Sequence, residues 1–99
     1  MIVIADTGPI NYLIQIETID VLPKLYGRIL VPPSVAAELQ DPLAPGPVRQ
    51  WIGDPPEWLE VRAPGNQPDA VLLEARLGAG ERDAIVLAQE LDADEVIID

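Results

Sequence analysis

The 99 residues allow one domain with a small hydrophobic core, and a hydrophobic fraction of 48% argues against disorder. The chain has no cysteine and no histidine, which excludes disulfides, zinc sites built on thiolates or imidazoles, and catalysis by a Ser-His-Asp or Cys-His arrangement. A net charge of −11 argues against loose binding of a nucleic-acid backbone, but leaves open an enzyme that reaches phosphates through bound cations.

Nothing in the sequence indicates a membrane protein. It has no run of about 18 apolar residues, so we expect no membrane-spanning helix. The N-terminal segment has no basic residue and reaches an acid at Asp6, which is unlike a signal peptide. A cytoplasmic location is therefore expected.

The first predicted strand is the apolar run of residues 2–5, which ends at Asp6. An uninterrupted apolar strand suits a sheet that is covered on both faces. Pro9 then suits the first turn of a helix. The helical spacing of three apolar residues predicts the buried stripe of this helix: Ile10, Leu13 and Ile14.

A second helix and a second strand follow. The helix is expected over residues 19–26, between a cap at Thr18 and a stop at Gly27. Residues 28–31 predict the second buried strand, and the prolines after it favour the start of a helix that carries Glu38.

The middle of the chain is predicted to hold short elements separated by loops. Prolines and a glycine make residues 41–47 a loop, and residues 48–52 suit a short helix. Residues 58–61 predict a third strand. Asp69 is placed to cap a short helix that bears three apolar residues: Val71, Leu72 and Leu73.

The strongest predicted helix follows the glycine-rich residues 78–80, and residues 95–99 predict a fourth strand that ends at Asp99. Strands that alternate with helices predict an α/β fold with a parallel sheet. Ligands of such folds gather at the carboxyl ends of the strands, where Asp6 and Asp99 both stand. The expected buried stripe of the helix is Ala84, Ile85, Leu87, Ala88 and Leu91.

Five acids are candidate site residues, and each also has a simpler explanation. Asp6 can cap the following helix, and Glu38 can be an ordinary solvated helix residue. Glu81 and Asp83 lie in a first helical turn, where the helix dipole favours acids. Asp99 can be a terminal charge. Singly, none of these acids is specific.

Acids that converge from separate elements would form a site for Mg²⁺ or Mn²⁺, which prefer carboxylate oxygens. Two such ions about 3.5–4 Å apart can activate water and hold both oxygens of a phosphoryl displacement. Other α/β sites fit less well. The chain has no G-x-x-x-x-G-K-[ST] loop, and residues 78–80 lack the third glycine of a dinucleotide fingerprint and precede the acidic Glu81.

Four segments, in order along the chain, resemble the PIN-domain family of nucleases. Residues 3–10 resemble its opening, an apolar strand that ends in Asp-Thr or Asp-Ser. Residues 31–39 are similar to its strand end, proline turn and helix with a glutamate. Residues 77–88 resemble its third motif, in the form found in the branch with Gly-Glu-x-Glu/Asp-Ala-Ile. Residues 96–99 resemble the start of its fourth motif.

The resemblance implies a three-layer α/β/α fold and an Mg²⁺- or Mn²⁺-dependent ribonuclease, often the VapC-like toxin of a toxin–antitoxin pair. Such proteins are commonly homodimers that a small antitoxin protein silences. Carried over by position, the resemblance implies metal-site and catalytic acids at four positions: Asp6, Glu38, Asp83 and Asp99. It further implies a supporting hydroxyl at Thr7 and an accompanying acid at Glu81, with Glu81 and Asp83 open as alternatives for the ligand.

The sequence departs from the family at Asp99, where PIN domains normally continue with a helix and an edge strand. We therefore expect residues 1–99 to be a PIN-like domain that is incomplete at its C-terminus, that self-associates, and whose activity is weakened or lost. The alternative function is a truncated, non-catalytic remnant that acts as a dimerisation or partner-binding module. A phosphate-accepting receiver domain ranks below both, because the only lysine, Lys24, lies in an early helix.

Overall fold

The four predicted strands form one parallel sheet in the computed structural model, which describes residues 1–98. The strand order is β3-β2-β1-β4, and Ile4 pairs with Leu30 on one side and with Val96 on the other. Every carboxyl end therefore lies at the same edge of the sheet, as predicted. The strands are β1 Val3–Ala5, β2 Ile29–Val31, β3 Leu59–Val61 and β4 Glu95–Ile97.

Six helices connect the described strands, and local sequence sets several of their ends. Asp69 caps α5 as predicted, with Oδ1 accepting a hydrogen bond from the Leu72 N–H at 2.9 Å. Gly27 ends α2 with a φ of +78°, a backbone conformation that glycine adopts without strain. Thr18 is not the cap of α2, which is Asp20. The helices are α1 Thr7–Gln15, α2 Val21–Tyr26, α3 Pro33–Leu39, α4 Gly46–Gly53, α5 Ala70–Glu74 and α6 Ala79–Leu91.

Alternating side chains of the strands divide the core between the two faces of the sheet. Val3 and Ala5 pack with apolar residues of helices α1 to α4 on one face. Ile4, between them, packs with Ala84 and Leu87 of α6 on the other face. This is the predicted three-layer α/β/α architecture. No helix within residues 1–98 has the length and apolar character needed to span a bilayer.

The structure fully buries only some of the apolar residues that the helical patterns contain. In α6, Ala84 and Leu87 are fully buried, and Val86, which the pattern did not select, is buried as well. Helix α5 buries none of its residues, and the Val71 and Leu73 side chains are 76% and 62% exposed.

We expect Leu87→Ala to destabilise the protein by about 2–5 kcal/mol, because it leaves a cavity in the core where the fully buried Leu87 side chain packs with Ile4. This loss is large for a domain whose whole stability is about 5–15 kcal/mol. Urea unfolding of the two proteins measures it. Leu73→Ala removes the same atoms from an exposed position and should change stability by less than about 0.5 kcal/mol. Equal losses in the two variants would contradict the assignment of Leu87 to the core.

An arginine–glutamate cluster is formed by Arg28, just before β2, with Glu60 in β3 and Arg62 just after it. Arg28 Nη1 is 2.9 Å from Glu60 Oε1, and Arg62 Nη2 is 2.6 Å from Glu60 Oε2. The hydrogen bond from Arg28 is the main reason why the pKa of Glu60 lies below its ordinary value of 4.5, and Arg62 lowers it further. Glu60 is therefore ionised at neutral pH.

The lowered pKa of Glu60 predicts a small acid-dependent loss of stability. A depressed pKa means that the stabilising contribution is present above the unfolded value near 4.5 and is lost as the pH falls through the folded value. The difference in melting temperature between wild type and Glu60→Gln should therefore shrink as the pH falls from about 7 to about 3. A difference that stays constant over this range would show that the ion pairs contribute nothing to stability.

Candidate active site

Asp6 stands at the carboxyl end of β1, at the middle of the sheet edge. Its N–H donates a hydrogen bond to the Ile97 carbonyl at 2.9 Å, which continues the pairing of β1 with β4. Its side chain caps α1, because Oδ1 accepts the Thr7 N–H at 2.7 Å. Capping and a place in the site are therefore compatible roles for this carboxylate.

Glu38 lies in the last turn of α3, and its carboxylate is held by two other elements. Oε2 accepts a hydrogen bond from Thr7 Oγ1 at 2.5 Å, at the start of α1. Oε1 accepts one from the Gly80 N–H at 3.2 Å, at the start of α6. Glu38 is thus fixed over the strand ends, which a freely solvated helix residue would not be.

Gly80 brings the two carboxylates to one place. A Cβ atom built on Gly80 would lie 2.9 Å from Glu38 Oε1 and 3.1 Å from Asp6 Oδ1. Both oxygens therefore surround the same point, and their separation cannot exceed the sum of these two distances. A Cβ there would also meet Val35 Cγ2 at 3.1 Å, so the missing side chain is what lets α6 approach so closely.

The donor set of this region fits a divalent cation. Two carboxylates repel each other when both are ionised at short range, and a cation between them removes that cost. Asp6 and Glu38 supply hard oxygen ligands of the kind that Mg²⁺ and Mn²⁺ prefer, and the Thr7 hydroxyl lies beside them. Within residues 1–98 no group of three or more potential ligand side chains meets the geometry of a metal site.

Asp83 and Glu81 lie on α6, close to Gly80 in sequence. Each residue turns a helix by about 100°, so Asp83 is about 60° from the direction of Gly80 and Glu81 about 100°. Asp83 is therefore better placed than Glu81 to face the two carboxylates. Asp83 lies beside Arg82, whose Nε is 3.6 Å from Asp83 Oδ1 and is buried without a hydrogen bond in the described part of the chain.

Of the predicted site residues, the structure brings Asp6, Thr7 and Glu38 together, with Asp83 one helical turn beyond their meeting point at Gly80. Asp99, the fourth predicted acid, lies outside the described residues. The assignment of the four acids as metal ligands, and of Thr7 and Glu81 as supporting residues, stays a prediction.

Gly80 contributes to the site, although the sequence pattern did not single it out. The sequence pattern predicts that the helix follows residues 78–80, whereas α6 begins at Ala79, and Gly80 is buried inside its first turn. A glycine inside a helical pattern costs helix stability, and such a position usually has a packing reason. That signal was available in the sequence.

A family model described as a PIN domain matches residues 2–99. No curated protein and no solved structure matches the chain.

Proposed function

The chain belongs to the PIN-domain family, whose fold is of a nuclease type, and from this premise we propose that it is a metal-dependent endoribonuclease. The observation that carries the proposal is the convergence of Asp6 and Glu38, from two separate elements, beside Gly80. The carboxyl edge of a parallel sheet is where such folds act on their ligands.

The residues of the site are positioned before any substrate arrives. The Thr7 hydroxyl and the Gly80 N–H each hold one oxygen of Glu38, and the cap of α1 holds Asp6. Such preorganised groups lose little conformational freedom when they bind a cation or a phosphate. A divalent cation at these carboxylates supplies a more acidic water as the nucleophile and offsets negative charge on the phosphodiester.

We assign two further acids to the same proposed site. Asp83 supplies a third carboxylate from the first turns of α6, where it can turn from Arg82 towards the cation. Asp99, which lies outside the described residues, is the fourth, because residues 96–99 resemble the start of the family's fourth motif. Glu81 has a supporting role.

The biological role we propose is that of a toxin that cleaves cytoplasmic RNA as a homodimer and is silenced by a small antitoxin protein. Support comes from the VapC-like form of the motifs and from the exposed apolar side chains of α5. Val71 and Leu73 offer a surface of the kind that protein partners cover.

RNA cleavage by the purified chain tests the proposed function. We expect a fluorescently labelled single-stranded RNA to be cut in the presence of Mn²⁺ or Mg²⁺, cutting to stop on addition of EDTA, and excess Mn²⁺ to restore it. RNA that stays intact with either cation would contradict the proposal.

The second candidate is a non-catalytic module for dimerisation or partner binding, which the exposed apolar surface of α5 favours. Calorimetric titration with Mn²⁺ separates the two candidates. Heat of binding in the wild type that disappears in Asp6→Asn supports the nuclease, whereas no binding in the wild type supports the module.

A further inference from the structure

The arginine–glutamate cluster is placed on the same face of the sheet as Asp6, which alternation along β1 puts on the side of Ile4. Glu60 pairs in register with Leu30, whose side chain packs on the α6 face together with Ile4. Side chains alternate along a strand, so Arg28, two residues before Leu30, and Arg62, two after Glu60, belong to this face too.

Arg62 also occupies the position after β3 that corresponds to the position of Asp6 after β1. It follows the last residue of β3, and its N–H donates a hydrogen bond to the Val31 carbonyl at 2.9 Å. The pairing of Ile4 with Leu30, and of Val31 with Val61, puts Asp6 and Arg62 at equivalent positions after their strands. Two steps of about 4.8 Å between strands separate them by about 10 Å along the edge.

The cluster has more positive than negative charge, although the chain as a whole is strongly acidic. The protein has six lysines and arginines against 17 acids, and two of those six share the single carboxylate of Glu60. The side chains of Arg28 and Arg62 remain 61% and 48% exposed, so both guanidinium groups have donors facing solvent. Exposed ion pairs add little to stability, which leaves this concentration of arginine poorly explained by folding alone.

We propose that Arg62, assisted by Arg28, forms a phosphate-binding subsite that holds the RNA backbone at a phosphate next to the one that is cleaved. The inference rests on the proposed ribonuclease function. A guanidinium group matches the geometry of a phosphate and binds it through two parallel hydrogen bonds. Glu60 orients both arginines and leaves the cluster with one net positive charge, so an RNA strand that crosses the carboxyl edge meets the cluster after passing Asp6.

Binding of a short, fluorescein-labelled 2′-O-methyl RNA, which resists cleavage, tests the subsite by fluorescence anisotropy in Mn²⁺. We expect Arg62→Gln to raise the Kd about tenfold and to reduce the salt dependence of binding by about one unit of slope, as loss of one phosphate contact does. Arg28→Gln should raise the Kd by a smaller factor. Arg62→Lys should regain the salt dependence but not the full affinity, because lysine keeps the charge without the paired geometry.

Arg49→Gln is the matched control, because Arg49 lies on α4 in the opposite layer. Its Kd should equal that of the wild type, and all variants should melt at nearly the wild-type temperature. A wild type that cleaves RNA while Arg62→Gln binds it as tightly as Arg49→Gln overturns the subsite alone. A wild type that neither cleaves nor binds RNA overturns both proposals. Binding of a labelled oligoglutamate as tightly as the RNA would assign the cluster to an acidic protein partner and overturn the subsite.

Discussion

Asp6→Asn is expected to abolish RNA cleavage and leave the fold intact. Asparagine caps helices as well as aspartate does, and its side-chain oxygen can still accept the Thr7 N–H that Asp6 accepts at 2.7 Å. The substitution therefore removes the negative charge and the cation ligand but keeps the cap. Loss of a group that only hydrogen-bonds a metal ligand usually lowers activity by up to about 100-fold. Asp6 is proposed as a direct ligand, so we expect the rate of cleavage to fall by more than this.

Asp69→Asn is a matched control for this prediction, because Asp69 also caps a helix through a bond from a backbone N–H. It should retain the wild-type rate and melting temperature. Initial rates in Mn²⁺ and thermal unfolding of both variants give the comparison. If Asp6→Asn keeps the wild-type rate and still binds Mn²⁺, Asp6 serves only as the cap of α1 and the metal site lies elsewhere.

The sequence predicted the sheet well because its signals are local. The strands β1 and β2 are short apolar runs that are followed by Asp6 and Pro32, and helices alternate with strands along the chain. From this alternation the parallel arrangement follows, and with it the shared edge on which Asp6 lies. The motif that carries Glu38 placed the second carboxylate near the first.

Contacts between distant elements could not be predicted in the same way. The bonds that orient Glu38 come from Thr7 and Gly80, which are 31 and 42 residues away in sequence. Their formation depends on how α3 and α6 pack across the sheet edge, and no local pattern encodes that packing. The same reason applies to α5: the sequence predicted a short helix with apolar residues such as Val71, but it could not show that no element of the described chain buries them.

Gly80→Ala is expected to lower the rate of RNA cleavage about 100-fold, because a displacement of about 1 Å in a catalytic group can cost this much. The added Cβ would lie only 2.9 Å from Glu38 Oε1 and 3.1 Å from Asp6 Oδ1. The end of the Glu38 side chain is flexible and can swing away, so the fold should survive. Alanine also favours a helix by up to about 1 kcal/mol over glycine, which offsets the small shift required of buried Val35.

Gly53→Ala is the control for the prediction that Gly80→Ala lowers activity without unfolding the protein. Gly53 ends α4, and a Cβ there would meet no atom within 4 Å, so cleavage should be unchanged. If Gly80→Ala loses activity but melts near the wild-type temperature, and its affinity for Mn²⁺ falls with its rate, the absence of a side chain at Gly80 is what lets the two carboxylates share one cation. Unchanged cleavage and Mn²⁺ affinity in Gly80→Ala would instead show that a glycine at this position serves only the packing of α6 against α3.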